Sequence, residues 1–212
     1  MRCYLVRHAQ TDWNQGRRFQ GRSNPPLGSE GLEQAQSLGE YFAGRAFGPI
    51  YSSTLKRSVQ TAEIIAGKTG SMLEMDPGLS EIGFGVWEGL TVEEVRARFD
   101  GMYQQWCQKP SQVAIPKGEP CDEFRARVRR SFQEVARRHQ GGGFQELVVV
   151  SHGGVICSLL ADWLGSDYDR LSRSLVLGNG SVSIIEWSVD STFVVCINAA
   201  VRPAVLSPRA VG

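Results

Sequence analysis

Two arginines, two histidines and one carboxylate carry the chemistry this sequence offers. The pair Arg7-His8 closes a short apolar run, Cys3 to Val6. A second run, Leu147 to Val150, ends in Ser151-His152-Gly153-Gly154. Such runs read as buried strands of a parallel sheet. Ligands of open α/β sheets bind just beyond the carboxyl ends of those strands. A single histidine past a strand is most often a hydrogen-bonded structural residue. Only three histidines exist here, two of them in matching contexts and one directly after an arginine. That pattern points to an oxyanion clamp beside a nucleophile.

Arg57 adds a second cation. It follows the short strand Ile50-Tyr51-Ser52, in the first turn of a helix, where backbone N–H groups also favour an anion. Glu81 lies in an irregular, glycine-rich stretch from Leu79 to Leu90. These segments are expected to meet at one sheet edge. Arg7, His8, Arg57, Glu81 and His152 together supply about the positive charge and fixed donors that a phosphate dianion requires.

The elements that hold these residues follow from hydrophobic patterning. Trp13 to Pro26 is polar and reads as a long loop, and loops of that length are often functional. Glu30 to Arg45 is helical in pattern. Leu55 to about Gly67 is a second helix, with Ser53 or Thr54 available as its cap. Leu73 to Met75 is a weak strand. Thr91-Val92-Glu93-Glu94 resembles a capping box opening a helix to Phe99. Residues 101–121 read as a helical turn and a lid-like loop. Cys121 to His139 is a helix that buries Phe124, Val128, Phe132 and Val135, and its arginines form a solvated outer face. Val155 to Leu164 is a buried helix, and 182–187 with 192–197 form a hairpin around Asp190-Ser191. The expected fold is α/β, a three-layer α/β/α sandwich with a mostly parallel central sheet and a helical lid at about 91–121, in one domain over 1–212.

Bulk properties exclude several classes. Hydrophobic residues are 42% and charged residues 21% of 212, ordinary for a globular protein. A net charge of +1 calls for neither nucleic acid nor a membrane surface as partner. Five scattered cysteines without a CxxC pair favour a reducing compartment, so a cytoplasmic location is expected. The amino terminus runs directly into a strand, which leaves no room for a signal peptide, and no apolar stretch approaches the ~18 residues of a membrane span. Asn179-Gly180-Ser181 fits a glycosylation pattern that such a location makes irrelevant. No G-x-S-x-G elbow exists, so a serine hydrolase is set aside.

The motifs taken together resemble the histidine phosphatase superfamily, with its phosphoglycerate-mutase-like fold. The matching pieces are Arg7-His8-Ala9-Gln10-Thr11 with Asn14, Gln20-Gly21 with Pro26-Leu27, and Tyr51-Ser52-Ser53 with Leu55-Lys56-Arg57 and Gln60-Thr61-Ala62. Glu81 with Phe84-Gly85 and Trp87-Glu88-Gly89, then Val150 to Gly154, and Asn198 complete the set. The resemblance implies a nucleophile at His8 that becomes phosphohistidine. It implies phosphate binding by Arg7, Arg57 and a protonated His152, with Asn14, Gln20, Gly21 and Gly153 alongside, and a proton donor at Glu81. No metal and no cofactor are implied. The stretch from Ile82 to Thr91 is similar to phosphatase branches, among them α-ribazole phosphatases and metal-independent phosphoserine phosphatases. The expected substrate partner is therefore a small-molecule phosphate monoester. A mutase and a non-catalytic phospho-ligand binder are the alternatives. Specificity is expected from Tyr103, Trp106, Lys109 and Lys117 and from the loop 82–87. Oligomeric state stays open, a homodimer being the assembly considered. Gly28 departs from the Thr or Ser common after the Pro-Leu pair, so Ser29 or the Gly28 backbone is expected to cap the following helix. His139 is expected to be a helix C-terminal charge outside the site.

Overall fold

Strand β1 (Arg2–Arg7) turns Cys3 and Leu5 to one face and Tyr4 and Val6 to the other in a computed structural model of the chain. The structure describes residues 1–99, 101–139, 146–188 and 191–201. The period-two alternation on a fully buried strand requires an apolar layer on each face. Chain order continues with α1 (Asp12–Gln15), α2 (Ser29–Phe42), β2 (Ile50–Ser52), α3 (Lys56–Thr69) and β3 (Leu73–Met75). The helices α4 (Val92–Arg98), α5 (Met102–Gln108) and α6 (Cys121–Arg138) come next. The chain ends with β4 (Glu146–Ser151), α7 (Gly153–Trp163), α8 (Tyr168–Ser174), β5 (Ser181–Trp187) and β6 (Thr192–Ala200).

The sheet order is β3-β2-β4-β1-β5-β6, with the first four strands parallel and β5 antiparallel to both of its neighbours. Leu38 and Phe42 of α2 and Ala62 and Ile65 of α3 pack with Tyr4, Val6, Val148 and Val150 on one face. Phe124, Val128 and Phe132 of α6 and the apolar residues of α7 pack with Cys3, Leu5, Leu147 and Val149 on the other. This is the expected three-layer α/β fold. No described helix is long and apolar enough to cross a membrane.

Several local expectations change. No side chain caps α3: its N-cap is Leu55, because the Ser53 hydroxyl is engaged elsewhere. Helix α2 starts from the Gly28 backbone, again without a side-chain cap, and ends at Phe42. A Cβ on Gly28 would overlap the Asp12 carboxylate. The capping box at Thr91 and Glu94 is present in both directions, at 3.2 and 2.8 Å. Two elements have no counterpart in the sequence reading. One is α1, a single turn capped by Thr11 inside what reads as loop. The other is α8, capped by the Asp167 carboxylate on Arg170 N at 2.8 Å. Seven residues are too few to display a helical period. Residues Asp190 and Gly141 to Gly143 lie outside the described residues.

Candidate active site

Parallel register brings the two histidines together. Arg7 pairs with Ser151 across β1 and β4, so the residues one step beyond each strand are neighbours. His8 N donates to Ser151 O at 2.8 Å, and the His8 and His152 rings sit 5.1 Å apart. Strand β2 ends beside β4 at the same edge, where Ser53 N donates to Val150 O. The helix that follows β2 carries Arg57 back over His8. Both imidazoles are buried, and Arg57 is 1% exposed.

Hydrogen bonds fix the state of His8. Its Nδ1 lies 2.7 Å from Ala9 O, and a carbonyl only accepts, so Nδ1 carries the proton. Nε2 is then a bare lone pair. Arg57 Nε donates to it at 3.3 Å. Burial, with Arg57 and Arg7 adding to it, holds His8 well below the usual histidine range. A neutral imidazole with its Nε2 lone pair facing a guanidinium is the form a nucleophile needs.

His152 is bound on one side only. Its Nε2 is 2.6 Å from Ser53 Oγ, while Nδ1 is buried without a protein partner. Burial, then Arg57, His8 and Arg7, hold His152 well below its ordinary value as well. These neighbours favour the neutral form of His152 in the protein alone; the protonated His152 expected above belongs to phosphate binding. Burial and two nearby arginines both disfavour a further cation at this position.

The two arginines are held by main-chain carbonyls. Arg57 donates from Nη2 to Gly21 O and from Nη1 to Ser23 O, both at 2.8 Å. Burial lowers its pKa to about 10, which keeps it charged at neutral pH. Arg7 donates from Nη1 to Leu177 O and leaves a buried Nε without a partner. Gly153 lies flat against that guanidinium: a Cβ there would meet Arg7 Nε at 3.5 Å. Arg7 Nε and His152 Nδ1 are buried polar atoms without a protein partner, the kind of groups that a phosphate oxygen would satisfy.

Glu81 sits on the same edge. Its Oε2 accepts from Gly154 N at 3.1 Å and its Oε1 from Ile82 N at 3.0 Å. A Cβ on Gly154 would overlap the carboxylate and push it from this position. Arg127 clamps the backbone that carries Glu81, donating to Gly78 O at 2.8 Å and Ser80 O at 2.9 Å. Its other arms form a two-bond pair with Glu119 at 2.9 Å each. Arg127 thus belongs to the support of the site, whereas the sequence pattern reads it as solvated. Of the other α6 arginines, Arg125, Arg129, Arg137 and Arg138 pair with carboxylates, as an outer face should.

The remaining expected residues divide. Gly21 contributes its carbonyl to Arg57. Asn14 is used locally, its Oδ1 accepting from Thr11 N at 3.0 Å and Thr11 Oγ1 at 2.9 Å. Gln20 is buried with an unpartnered Oε1. Lys109 and Lys117 do not line the cavity beside the cluster, nor does Tyr103; Trp106 does. His139 closes α6 and meets the Tyr51 hydroxyl at 2.9 Å. Three supporting residues escaped the sequence reading of roles. Asn179 Nδ2 donates to His8 O at 3.1 Å. Asn198, at φ 60°, accepts from Gly178 N at 2.7 Å and so steadies the turn behind Arg7. Glu88 gathers Arg22 N, Ser23 N, Ser23 Oγ and Phe84 N at 2.8–2.9 Å. Only the family motif containing Glu88 carried a signal for it.

Comparison with known proteins decides the family. The model of the histidine phosphatase superfamily, branch 1, matches residues 3–200. The chain belongs to this superfamily. It is 32% identical over 198 residues to phosphoserine phosphatase 1 of Hydrogenobacter thermophilus, covering 93% of this chain and 92% of that protein. It is 33% identical over 187 residues to a protein of Enterobacter sp. (strain 638) named as a probable phosphoglycerate mutase GpmB, covering 88% and 85%. The solved structure of the α-ribazole phosphatase from Shigella flexneri superposes with a TM-score of 0.84 at 26% identity, covering 94% and 97%.

Proposed function

We propose that this chain is a phosphomonoesterase that hydrolyses a small phosphorylated metabolite through a phosphohistidine on His8. The observation that carries the reading is the tautomer of His8. A buried Nε2 lone pair, with Nδ1 locked to Ala9 O, faces the Arg57 guanidinium, and Arg7 adds positive charge nearby. In the first half-reaction Nε2 bonds to phosphorus while the ester P–O bond breaks. Arg7, Arg57 and His152 take the equatorial oxygens, whose charge grows in the transition state. Glu81, as the general acid, passes a proton to the departing alkoxide. In the second half-reaction water gives one of its own protons to Glu81 as its oxygen bonds to phosphorus. The P–N bond breaks, and neutral His8 returns.

The positive charge in this scheme comes from side chains, so we propose a metal-independent reaction. Among the described residues no group of three or more His, Cys, Asp or Glu is arranged to hold a metal. Residues 91–121 act as the lid of one domain over 1–212. The test is trapping. Rapid acid-free quench with labelled substrate is expected to give an acid-labile phosphoryl adduct on the parent protein in the presence of EDTA, and none on His8→Ala. Retention of more than a few per cent of turnover by His8→Ala would remove the nucleophile assignment.

The mutase-named relative supports a second reading. In that reading the phosphohistidine would return its phosphoryl group to a phosphoglycerate hydroxyl. It requires cations that hold the glycerate carboxylate, and Lys109 and Lys117, the lysines of the lid, are absent from the cavity wall.

A further inference from the structure

A cavity of about 510 Å³ shares Arg7, Glu81, Gly153 and Gly154 with the phosphate cluster. The leaving group of any substrate must occupy it. Its other walls are dominated by apolar groups, with Phe84 and Trp106 from the lid side and Leu175, Val176 and Leu177 from the segment after α8. Trp106 is fixed by rings around it: Phe19 at 5.6 Å, Phe84 at 6.1 Å, Trp87 at 6.1 Å and a stacked Tyr103 at 6.1 Å. Cys121 and Cys157 also line the cavity, and burial pushes them to about 11 and about 12, so they present neutral thiols.

Charge on the wall is sparse and one-sided. Beyond Arg7 and Glu81, the only charged lining residue is Arg173, among the described residues. Arg173 Nε donates to Asp169 O at 2.9 Å. The Asp169 carboxylate is itself taken by Ser111 N at 2.8 Å and Ser111 Oγ at 2.7 Å. No carboxylate on the wall is free to meet an ammonium, because Glu81 is committed to Gly154 N and to the leaving oxygen. An ammonium drawn into such a cavity loses its water without gaining a partner.

We propose that the alcohol released by this enzyme carries an apolar, ring-sized body and no free ammonium, and that Trp106 and Arg173 are the residues that select it. The volume suits a ring, since small-molecule pockets span roughly 300–1,000 Å³, and a seryl group would leave the aromatic wall unfilled. The proposal rests on the phosphomonoesterase reading. It also separates this chain from its phosphoserine phosphatase relative in substrate.

The experiment compares alkyl esters, so that leaving-group acidity does not decide the outcome. Phosphate release is measured from 2-phenylethyl phosphate, ethyl phosphate, O-phosphoserine and N-acetyl-O-phosphoserine. The expected kcat/KM for 2-phenylethyl phosphate exceeds that for phosphoserine by roughly tenfold or more, and N-acetylation improves the phosphoserine substrate. Trp106→Ala raises KM for 2-phenylethyl phosphate and leaves ethyl phosphate almost unchanged. Arg173→Gln, a change at an exposed side chain, narrows the gap between phosphoserine and its N-acetyl form. Phosphoserine matching or beating 2-phenylethyl phosphate on the parent protein, which needs no variant to fold, overturns the proposal and leaves the phosphatase reading standing. Failure to hydrolyse any ester, p-nitrophenyl phosphate included, overturns both.

Discussion

Glu88 positions Arg57 without touching it. The Glu88 carboxylate accepts from Arg22 N, Ser23 N and Ser23 Oγ. The carbonyls of that same loop, Gly21 O and Ser23 O, receive both terminal nitrogens of Arg57. Arg57 Nε is thereby aimed at His8 Nε2. A Cβ on Gly21 would overlap the Glu88 carboxylate, which makes glycine a condition of the arrangement. Glu88 also holds Phe84 N, so one carboxylate links the phosphate side of the site to the leaving-group wall.

The relay predicts a coupling. Gln at position 88 keeps one acceptor oxygen of two, and leaving buried donors unmade costs about 1–3 kcal/mol, roughly 5- to 150-fold in rate terms. Glu88→Gln is expected to lower kcat/KM for p-nitrophenyl phosphate by about tenfold and to weaken inhibition by inorganic phosphate in step. In an Arg57→Ala background the same change should do little more, because the arginine it serves is gone. Additive losses in the double variant would mean that Glu88 acts only on general loop stability.

Glu81→Gln tests the proton donor. The amide keeps the shape and one acceptor oxygen for Gly154 N, but it has no proton to give. Hydrolysis of alkyl phosphates should fall by about 10²–10⁴-fold. Hydrolysis of p-nitrophenyl phosphate, whose nitrophenolate leaves unaided, should fall far less. Equal losses on both substrates would place Glu81 outside the proton transfer.

The strands and their terminal residues were legible because burial on both sheet faces leaves apolar runs that end abruptly at Arg7-His8 and Ser151-His152. Register then did the rest, since parallel strands ending in step put both histidines side by side. The supports were not legible. Asn179 and Asn198 act through main-chain groups far away in sequence, His8 O and Gly178 N, and nothing in their local sequence says which carbonyl or amide they will meet. Helix α8, which brings Tyr168 and Arg173 to the cavity, is only seven residues, about two turns, too short for a periodic signature. Arg127 looks like its neighbours on α6 and differs only because the 78–81 backbone crosses over it.

The depressed histidines set a pH dependence. Burial together with Arg57 and Arg7 keeps His8 neutral below the ordinary histidine value of about 6.5. The acid limb of kcat/KM, corrected for the substrate's own ionisation near pH 6, is therefore expected below that value. Arg57→Gln should move the limb upward. Stability follows the same sign. Between the folded and unfolded values the unfolded chain binds protons that folded His8 and His152 refuse, so stability is lost as pH falls through about 6.5. Urea midpoints of the parent and His8→Gln at pH 7.5 and pH 5 provide the check: the parent should lose more. An equal loss in both proteins would remove His8 from the linkage.

Water should win the phosphohistidine over a second hydroxyl. The intermediate partitions between hydrolysis and transfer, and a mutase shifts that balance by holding its acceptor and excluding water. For phosphoglycerate the grip has to fall on the carboxylate. Among the described residues the cavity offers one cation for that task beyond Arg7, namely Arg173, exposed and bonded to the Asp169 carbonyl, against walls of Phe84, Trp106 and Leu175. Lys109 and Lys117 are not on its surface. A small, fully polar glycerate gains little from those walls and is expected to dissociate before it can accept the phosphoryl group. Phosphate release and interconversion of 3-phosphoglycerate and 2-phosphoglycerate can be followed on one preparation, with 2,3-bisphosphoglycerate as primer. Release from the best monoester is expected to exceed mutase flux by orders of magnitude. Flux above release for every ester tried would assign the chain to the mutases, and would require that the lid bring cations to the cavity in a second conformation.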